Sequence, residues 1–321
     1  MMSEYFCPKC DKTLVARKSS FGKFYGCPGY YEKSARNPEG FDKAAGEVQC
    51  KHTQKAKYVK EVITKIPLPT FKGSDQQIAI WEEMENGTSH LIIKALAGTG
   101  KTTTIVMGAA RLTGSVIALA FNNKIARELK ARMPEGTATS TFHAFGWSAI
   151  RAFYKGAELK EYKTHNCVDA MLPEGMDDND KNRIKYAVVK LVSLCKNKLL
   201  APTTENLTQL CEYHSVEIGD EVERIFELVP KVLDAARKNT REFDFDDQIW
   251  IPIVNKITLP TYDNVLVDEV QDLNMCRIEM AFTVAGKNGR IIAVGDENQA
   301  IYGFCGAAED SMQLFERRLS A

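Results

Sequence analysis

A short apolar run at 90–94, HLIIK, passes directly into ALAGTGKTT at 95–103. That passage asks for a strand, a tight loop and a helix in that order. Gly98 and Gly100 leave room for backbone N–H groups to point into the loop. Lys101 can then reach the β- and γ-phosphates of a nucleoside triphosphate, and the Thr102 hydroxyl can hold Mg²⁺. The helix expected next, TTTIVMGAARL, would aim its positive N-terminal end at the same phosphates. Ala97, Gly98, Thr99, Gly100, Lys101, Thr102 and Thr103 form the cradle. The full pattern GxxxxGK[ST] would put glycine at 95, where this chain has Ala95.

A chain of 321 residues has room for about two domains. With 44% hydrophobic and 26% charged residues, it has the composition of a soluble globular protein. No apolar run approaches the ~18 residues of a membrane span. The opening MMSEYFCPKC lacks a basic-then-apolar leader pattern. The expected location is a reducing cytoplasm, bacterial or phage-infected.

Charge and cysteine are both unevenly placed. Residues 1–65 hold 13 Lys and Arg against 7 Asp and Glu, a net of +6, which leaves −6 for the rest of a neutral chain. A basic N-terminal module suggests an anionic partner. Four of the nine cysteines stand at 7, 10, 27 and 50. The others (Cys167, Cys195, Cys211, Cys276 and Cys305) read as ordinary buried thiols.

The pattern divides the chain into a loop-rich module at 1–52, a basic linker at 53–70 and an α/β body from 71. In the body, apolar strand patterns alternate with amphipathic helix patterns, which indicates a parallel sheet wrapped by helices. NNKIARELKARM is such a helix, opened by an asparagine cap. Residues 155–243 interrupt the alternation. There Ile184, Ala187, Val188, Leu191, Val192 and Cys195 recur at helical spacing, as do Val222, Ile225, Phe226, Val229, Val232 and Leu233. The body therefore reads as 71–154 and 244–321, with a helical subdomain inserted between them.

A triphosphate site needs a carboxylate for the metal and a base for water. VLVDEVQD at 265–272 supplies both: an apolar strand ends in Asp268 and Glu269, at the sheet edge where the phosphate loop also emerges. Asp268 would hold Mg²⁺ and Glu269 would accept the proton of the attacking water. VGDENQAIYGFCGA at 294–307 again follows an apolar strand. Gln299 could sense the γ-phosphate, while Tyr302 and Phe304 offer ring faces for bases.

ALAGTGKTT, AFNNKIARELKARMP, TSTFHAFG, EFDFDDQIWIPI, VLVDEVQDLN and VGDENQAIYGFCGA occur in that order. The series resembles superfamily 1 DNA helicases of the UvrD/Rep type, including F-box helicases and phage relatives, over about 70–321. The resemblance implies a RecA-like ATPase core with a helical insert, moving 3′ to 5′ on single-stranded DNA. It places the adenine-reading glutamine on Gln77, with Gln76 as the alternative, and makes Gln299 the residue that couples hydrolysis to movement. It puts DNA contacts on Phe121, Asn123 and Lys124, then on Thr141 and His143, with Phe304 stacking on a base. Phe121 closes an apolar strand and could equally be core. Relatives often have arginine where this chain has Cys305. The family's second RecA-like domain, with its arginine fingers, is expected to be missing. The chain alone should then bind ATP, hydrolyse it poorly and leave duplexes intact unless a second chain completes the motor.

The segment CPKCDKTLVARKSSFGKFYGCPGY is similar to the zinc-ribbon repeats of bacterial type IA topoisomerases, which bind single-stranded DNA. Cys7, Cys10 and Cys27 would be zinc ligands, with Cys50 the fourth and His52 the alternative. Arg17, Lys18, Lys23, Phe24 and Tyr25 would share a hairpin, mixing cations for phosphates with rings for bases. Two other readings remain. One is a nucleotide-gated DNA-binding adaptor. The other is a nucleotide kinase or GTPase, against which VDEVQD, GDENQAIY and the lack of an NKxD motif all argue.

Overall fold

A computed structural model describes residues 72–96, 98–299 and 311–320, together with the backbone of three strands nearer the N-terminus. The chain divides into two compact units, 1–64 and 65–321.

The first unit contains β1 (Val15–Ser19), β2 (Gly22–Gly26) and β3 (Thr53–Lys55). They form an antiparallel sheet with β2 central. Arg17 pairs with Phe24 and Lys18 with Lys23 across the β1–β2 hairpin. The side chains of these residues and of Tyr25 lie outside the described set, as do Cys7, Cys10, Cys27, Cys50 and His52. β3 falls in the stretch read from sequence as linker. Its three residues, Thr-Gln-Lys, have no apolar member, so periodicity carried no signal for this strand, which pairs with β2.

In the second unit, α1 (Asp75–Asn86) precedes β4 (Leu91–Lys94), and α2 (Lys101–Ala109) follows the phosphate loop. Then come β5 (Val116–Ala120), α3 (Asn123–Arg132), β6 (Ala138–Thr141) and α4 (Phe142–Phe153). The insert holds β7 (Glu158–Leu159), α5 (Lys163–Asp169), α6 (Asp178–Lys198), α7 (Thr204–His214), α8 (Val222–Lys238) and β8 (Glu242–Phe243). The chain returns through α9 (Asp247–Val254), β9 (Asn264–Val267), α10 (Met275–Ala285), β10 (Arg290–Gly295) and α11 (Ser311–Ser320).

Five strands form one parallel sheet in the order β4-β10-β9-β5-β6. Because neighbouring residues of a strand point to opposite faces, each central strand feeds two cores. Val116, Ala118, Ala120, Leu266, Ile292 and Val294 pack with Met84, Ile105, Ala109 and Leu129 under α1, α2 and α3. Ile117, Leu119, Val265, Val267, Ile291 and Ala293 pack on the other face with α4, α9 and α10. Burial on both faces explains why these strands read as unbroken apolar runs.

That second core continues without a break into the insert, whose helical stripes (Ile184, Val188, Leu191, Ile225, Val229 and Val232) belong to it. The insert also has a closed neck: β7 pairs in parallel with β8, Leu159 opposite Phe243. Arg290, the first residue of β10, binds the last carbonyls of α1, its Nη1 donating to Met84 O at 3.0 Å and Gly87 O at 2.8 Å. Among the described residues, no helix is long and apolar enough to cross a membrane. Cys195, Cys211 and Cys276 are buried and Cys167 is partly so; Cys305 lies outside the described set.

Candidate nucleotide and nucleic-acid site

A parallel sheet presents the carboxyl ends of all its strands, and the loops attached to them, along one edge. The loop after β4, the acidic pair after β9, the Asp296 turn after β10, Phe121 after β5 and α4 after β6 all emerge there.

The loop has the backbone its glycines allow. Gly98 (φ +76°) and Gly100 (φ +87°) are left-handed, and a Cβ on Gly98 would meet nothing within 4 Å. Gly100 caps α2, and Thr99 closes the turn with Oγ1 donating to Leu96 O at 2.7 Å. Thr102 and Thr103 are half-buried in the first turn, and Arg132 donates to Thr103 Oγ1 at 2.9 Å. Ala97 lies outside the described residues.

Lys101 Nζ reaches Glu269 Oε2 at 3.3 Å. It makes no hydrogen bond, although buried. Asp268 is buried and accepts from the Glu269 N–H at 3.0 Å. Burial, then the Glu269 charge, pushes the Asp268 carboxyl up to about 6. The same two causes push Asp272 up to about 6, and its Oδ1 is buried without a hydrogen bond. Glu269 lies against the Lys101 ammonium, and Asp268 and Asp272 interact with it through their charges. Among the described residues no three His, Cys, Asp or Glu side chains converge as a protein-only metal cage.

Glu269 stands at φ +54°, left-handed for a non-glycine residue. Such a conformation costs roughly 1–3 kcal/mol and persists where the surroundings enforce it. Gln271 is part of that enforcement. Its Nε2 donates to Glu269 Oε2 at 2.7 Å, and its Oε1 accepts from the Asp296 N–H at 3.0 Å. A Cβ on Gly295 would come within 2.7 Å of Gln271 Oε1, so glycine is what permits the bridge. The acidic pair is thereby tied to the turn carrying Gln299, whose N–H donates to Asp296 O at 3.1 Å. Lys94 pairs with Glu297 (2.6 Å) and Glu316 (2.7 Å), linking this turn to α11. Tyr302, Phe304 and Cys305 lie outside the described residues.

Gln77 sits beside the phosphate loop with both ends of its carboxamide engaged. Its Oε1 accepts from Ser74 N at 3.1 Å in a reciprocal cap, and its Nε2 donates to Thr104 Oγ1 at 3.0 Å. Gln76 is exposed on the same turn.

Of the residues matched to DNA contacts, Asn123 and Lys124 lie at the start of α3, which Asn122 caps by accepting from Ile125 N at 2.9 Å; both are exposed. Phe121 is half-buried, with the Arg277 guanidinium 4.6 Å over its ring. Thr141 caps α4, its Oγ1 accepting from Ala144 N at 3.1 Å. His143 is buried, and burial followed by the Arg277 charge pulls its imidazole down to about 3.

Sequence reasoning assigned no role to Gln271, Asp272, Arg277 or the acidic residues of EFDFDDQ. Asp244, Asp246 and Asp247 of that run form an ionic hub. Asp247 takes Lys163 at 2.6 Å and Lys196 at 2.9 Å, while Asp244 takes Lys196 at 2.9 Å and the Thr164 hydroxyl. Asp246 accepts from Ser193 at 2.6 Å and from Asn197 at 3.2 Å. Asn197 in turn accepts from Asn274, the cap of α10, at 2.6 Å. The available signal was Lys196 inside the apolar stripe of α6, against three aspartates in one turn.

A parallel α/β sheet with a phosphate loop facing an acidic pair across its carboxyl edge defines a nucleoside-triphosphate-binding domain. Residues 76–320 match the UvrD/REP helicase N-terminal domain, and the chain belongs to that family. It is 28% identical to the ATP-dependent DNA helicase Rep of Escherichia coli over 269 residues, covering 75% of this chain and 38% of Rep. Against E. coli DNA helicase II it is 26% identical over 258 residues, 71% of this chain and 34% of the relative. The F-box DNA helicase protein 1 of Schizosaccharomyces pombe is 26% identical over 278 residues, 74% of this chain and 29% of its own length. The chain thus spans well under half the length of these relatives.

Proposed function

We propose that this chain binds MgATP and single-stranded DNA as the N-terminal ATPase portion of a superfamily 1 helicase. The observation that carries the reading is Lys101 Nζ at 3.3 Å from Glu269 Oε2, between the phosphate loop and the acidic strand end. Lys101 would bind the β- and γ-phosphates, while Thr102 and Asp268 would hold Mg²⁺. The metal supplies charge neutralisation for the phosphoryl group. Glu269 would take the proton of water, positioned by Gln271, and Gln299 would relay the state of the γ-phosphate. Phe121, Asn123, Lys124, Thr141 and His143 would line the DNA side, joined by Tyr302 and Phe304. Movement from 3′ to 5′ is the direction that the family likeness implies. The matched stretch covers 38% of Rep, so the 321 residues alone are expected to turn ATP over weakly and to leave duplexes intact until the remaining motor parts are supplied.

ATP binding and turnover, measured with and without single-stranded DNA, test this. Glu269→Gln should keep nucleotide affinity and lose roughly 10²–10⁴ in turnover. Undiminished turnover would remove Glu269 from its role. Nucleotide-dependent DNA binding with no turnover in any arm would instead support the adaptor.

The N-terminal unit is proposed to be a zinc ribbon held by Cys7, Cys10, Cys27 and Cys50, with His52 the alternative fourth ligand. The CxxC spacing and the +6 charge of residues 1–65 support this. Elemental analysis of the intact chain should find about one zinc per molecule; a folded, metal-free chain would refute it.

A further inference from the structure

The helix α3 packs beside α2, and its sequence decides which side chains meet across the gap. Leu129 is buried, and Ile125, Ala126 and Met133 pack with it onto the core under the sheet. Glu128 and Arg132 each come one position before a residue of that stripe, about 100° around the helix. They therefore flank the buried face instead of opposing it. On this flank Arg132 Nη1 donates to Glu128 Oε1 at 3.2 Å. Such a pair, four residues apart on a helix surface, is ordinary and contributes little. The second bond of the guanidinium is of another kind. Its Nη2 crosses to α2 and donates to Thr103 Oγ1 at 2.9 Å, 29 positions away in the chain.

Thr103 belongs to the first turn of α2. The helical ladder there opens with Thr104 N donating to Gly100 O at 2.9 Å. The N–H groups of Lys101, Thr102 and Thr103 thus precede the ladder, at the positive end of the helix. That end is where phosphate oxygens bind. Lys101 looks toward Glu269, at 3.3 Å. Thr103 stands two positions further on, roughly 200° around the axis. Arg132 therefore arrives on the side of α2 away from the acidic base. Glu128 is near enough for its charge to bear on Asp268, so the same flank of α3 looks onto the nucleotide edge of the sheet.

We propose that Arg132 is a further nucleotide-binding residue, its guanidinium reaching from α3 to a phosphate oxygen on the ribose side of the γ-phosphate. The inference rests on the MgATP-binding reading above and adds to it a contact that ATP and ADP share. A guanidinium carries five N–H donors in a planar fork. Glu128 and Thr103 each take one, and the bond to Thr103 steers the fork to the phosphate end of α2. Water activation stays with Glu269; Arg132 sets how tightly the nucleotide is held.

Calorimetric titrations of the intact 321-residue chain with MgADP and with MgATP test this. Arg132→Met should weaken both about tenfold, the scale of one charge-assisted hydrogen bond. Arg132→Lys keeps the charge without the fork and should fall between Arg132→Met and the unaltered chain. Glu128→Gln breaks the surface pair and removes a negative charge, so it should bind both nucleotides at least as tightly as the unaltered chain. Unchanged affinities in Arg132→Met, a loss confined to MgATP, or an equal loss in Glu128→Gln would each overturn the contact while leaving the MgATP reading intact. An unaltered chain that binds neither nucleotide overturns that reading and the contact together.

Discussion

At the scale of single residues, two side chains in the site carry testable expectations. The family resemblance puts adenine reading on Gln77, with Gln76 as the alternative, and the Gln77 carboxamide also completes the cap of α1 and holds Thr104. Gln76, exposed one residue earlier, has no such duty in the cap. Gln76→Ala is expected to narrow the preference for ATP over GTP in nucleotide titrations. Gln77→Ala should mainly lower the melting point, by the roughly 1 kcal/mol that a cap contributes. The reverse pattern would return the role to Gln77. His143 makes a pH prediction. Its imidazole is depressed to about 3 by burial and Arg277, so the unfolded chain binds the proton more readily. Stability from this residue is present above the unfolded value, about 6.5, and is lost as pH falls from there toward about 3. Ring signals of His143 in NMR should stay those of neutral imidazole from about pH 8 to about pH 5; a midpoint near 6.5 would show a solvated side chain instead.

At the scale of elements, the alternation of strands and helices was legible because both core faces of the sheet demand apolar residues. Runs such as VIALA and NVLV admit few other readings. The caps at Asn122, Thr141 and Asn274 obey an equally local rule, a short polar side chain just ahead of a helical stretch. The phosphate loop and acidic pair were legible because their chemistry is written in consecutive residues. What stayed hidden depends on distant partners. β7 and β8 are two residues each, too short for a period. α9 carries Pro252, which argues against a helix on local grounds, although it sits in the last turn. The ionic hub joins residues up to 84 positions apart, and no window of sequence shows that Lys163 and Lys196 face the same aspartates. Its weight can be measured. Asp247→Ala leaves the buried Lys163 ammonium without its carboxylate and Lys196 with Asp244 alone, and should cost about 3–5 kcal/mol, read as a lowered urea midpoint. A change within experimental error would mean that the lysines find other acceptors.

At the scale of the whole molecule, the sequence placed a helical subdomain at 155–243 inside the α/β body. The structure gives the insert and one face of the sheet a common interior. Its polar link runs from Asp246 through Asn197 to Asn274, just past the acidic pair. The neck brings entry and exit together: Glu158 N donates to Arg241 O at 2.6 Å, and Lys160 N to Phe243 O at 2.8 Å. An engineer could join those two points with a very short peptide and suppose the fold had been streamlined. The trimmed protein would instead present bare oil where the sheet had been roofed, and would clump.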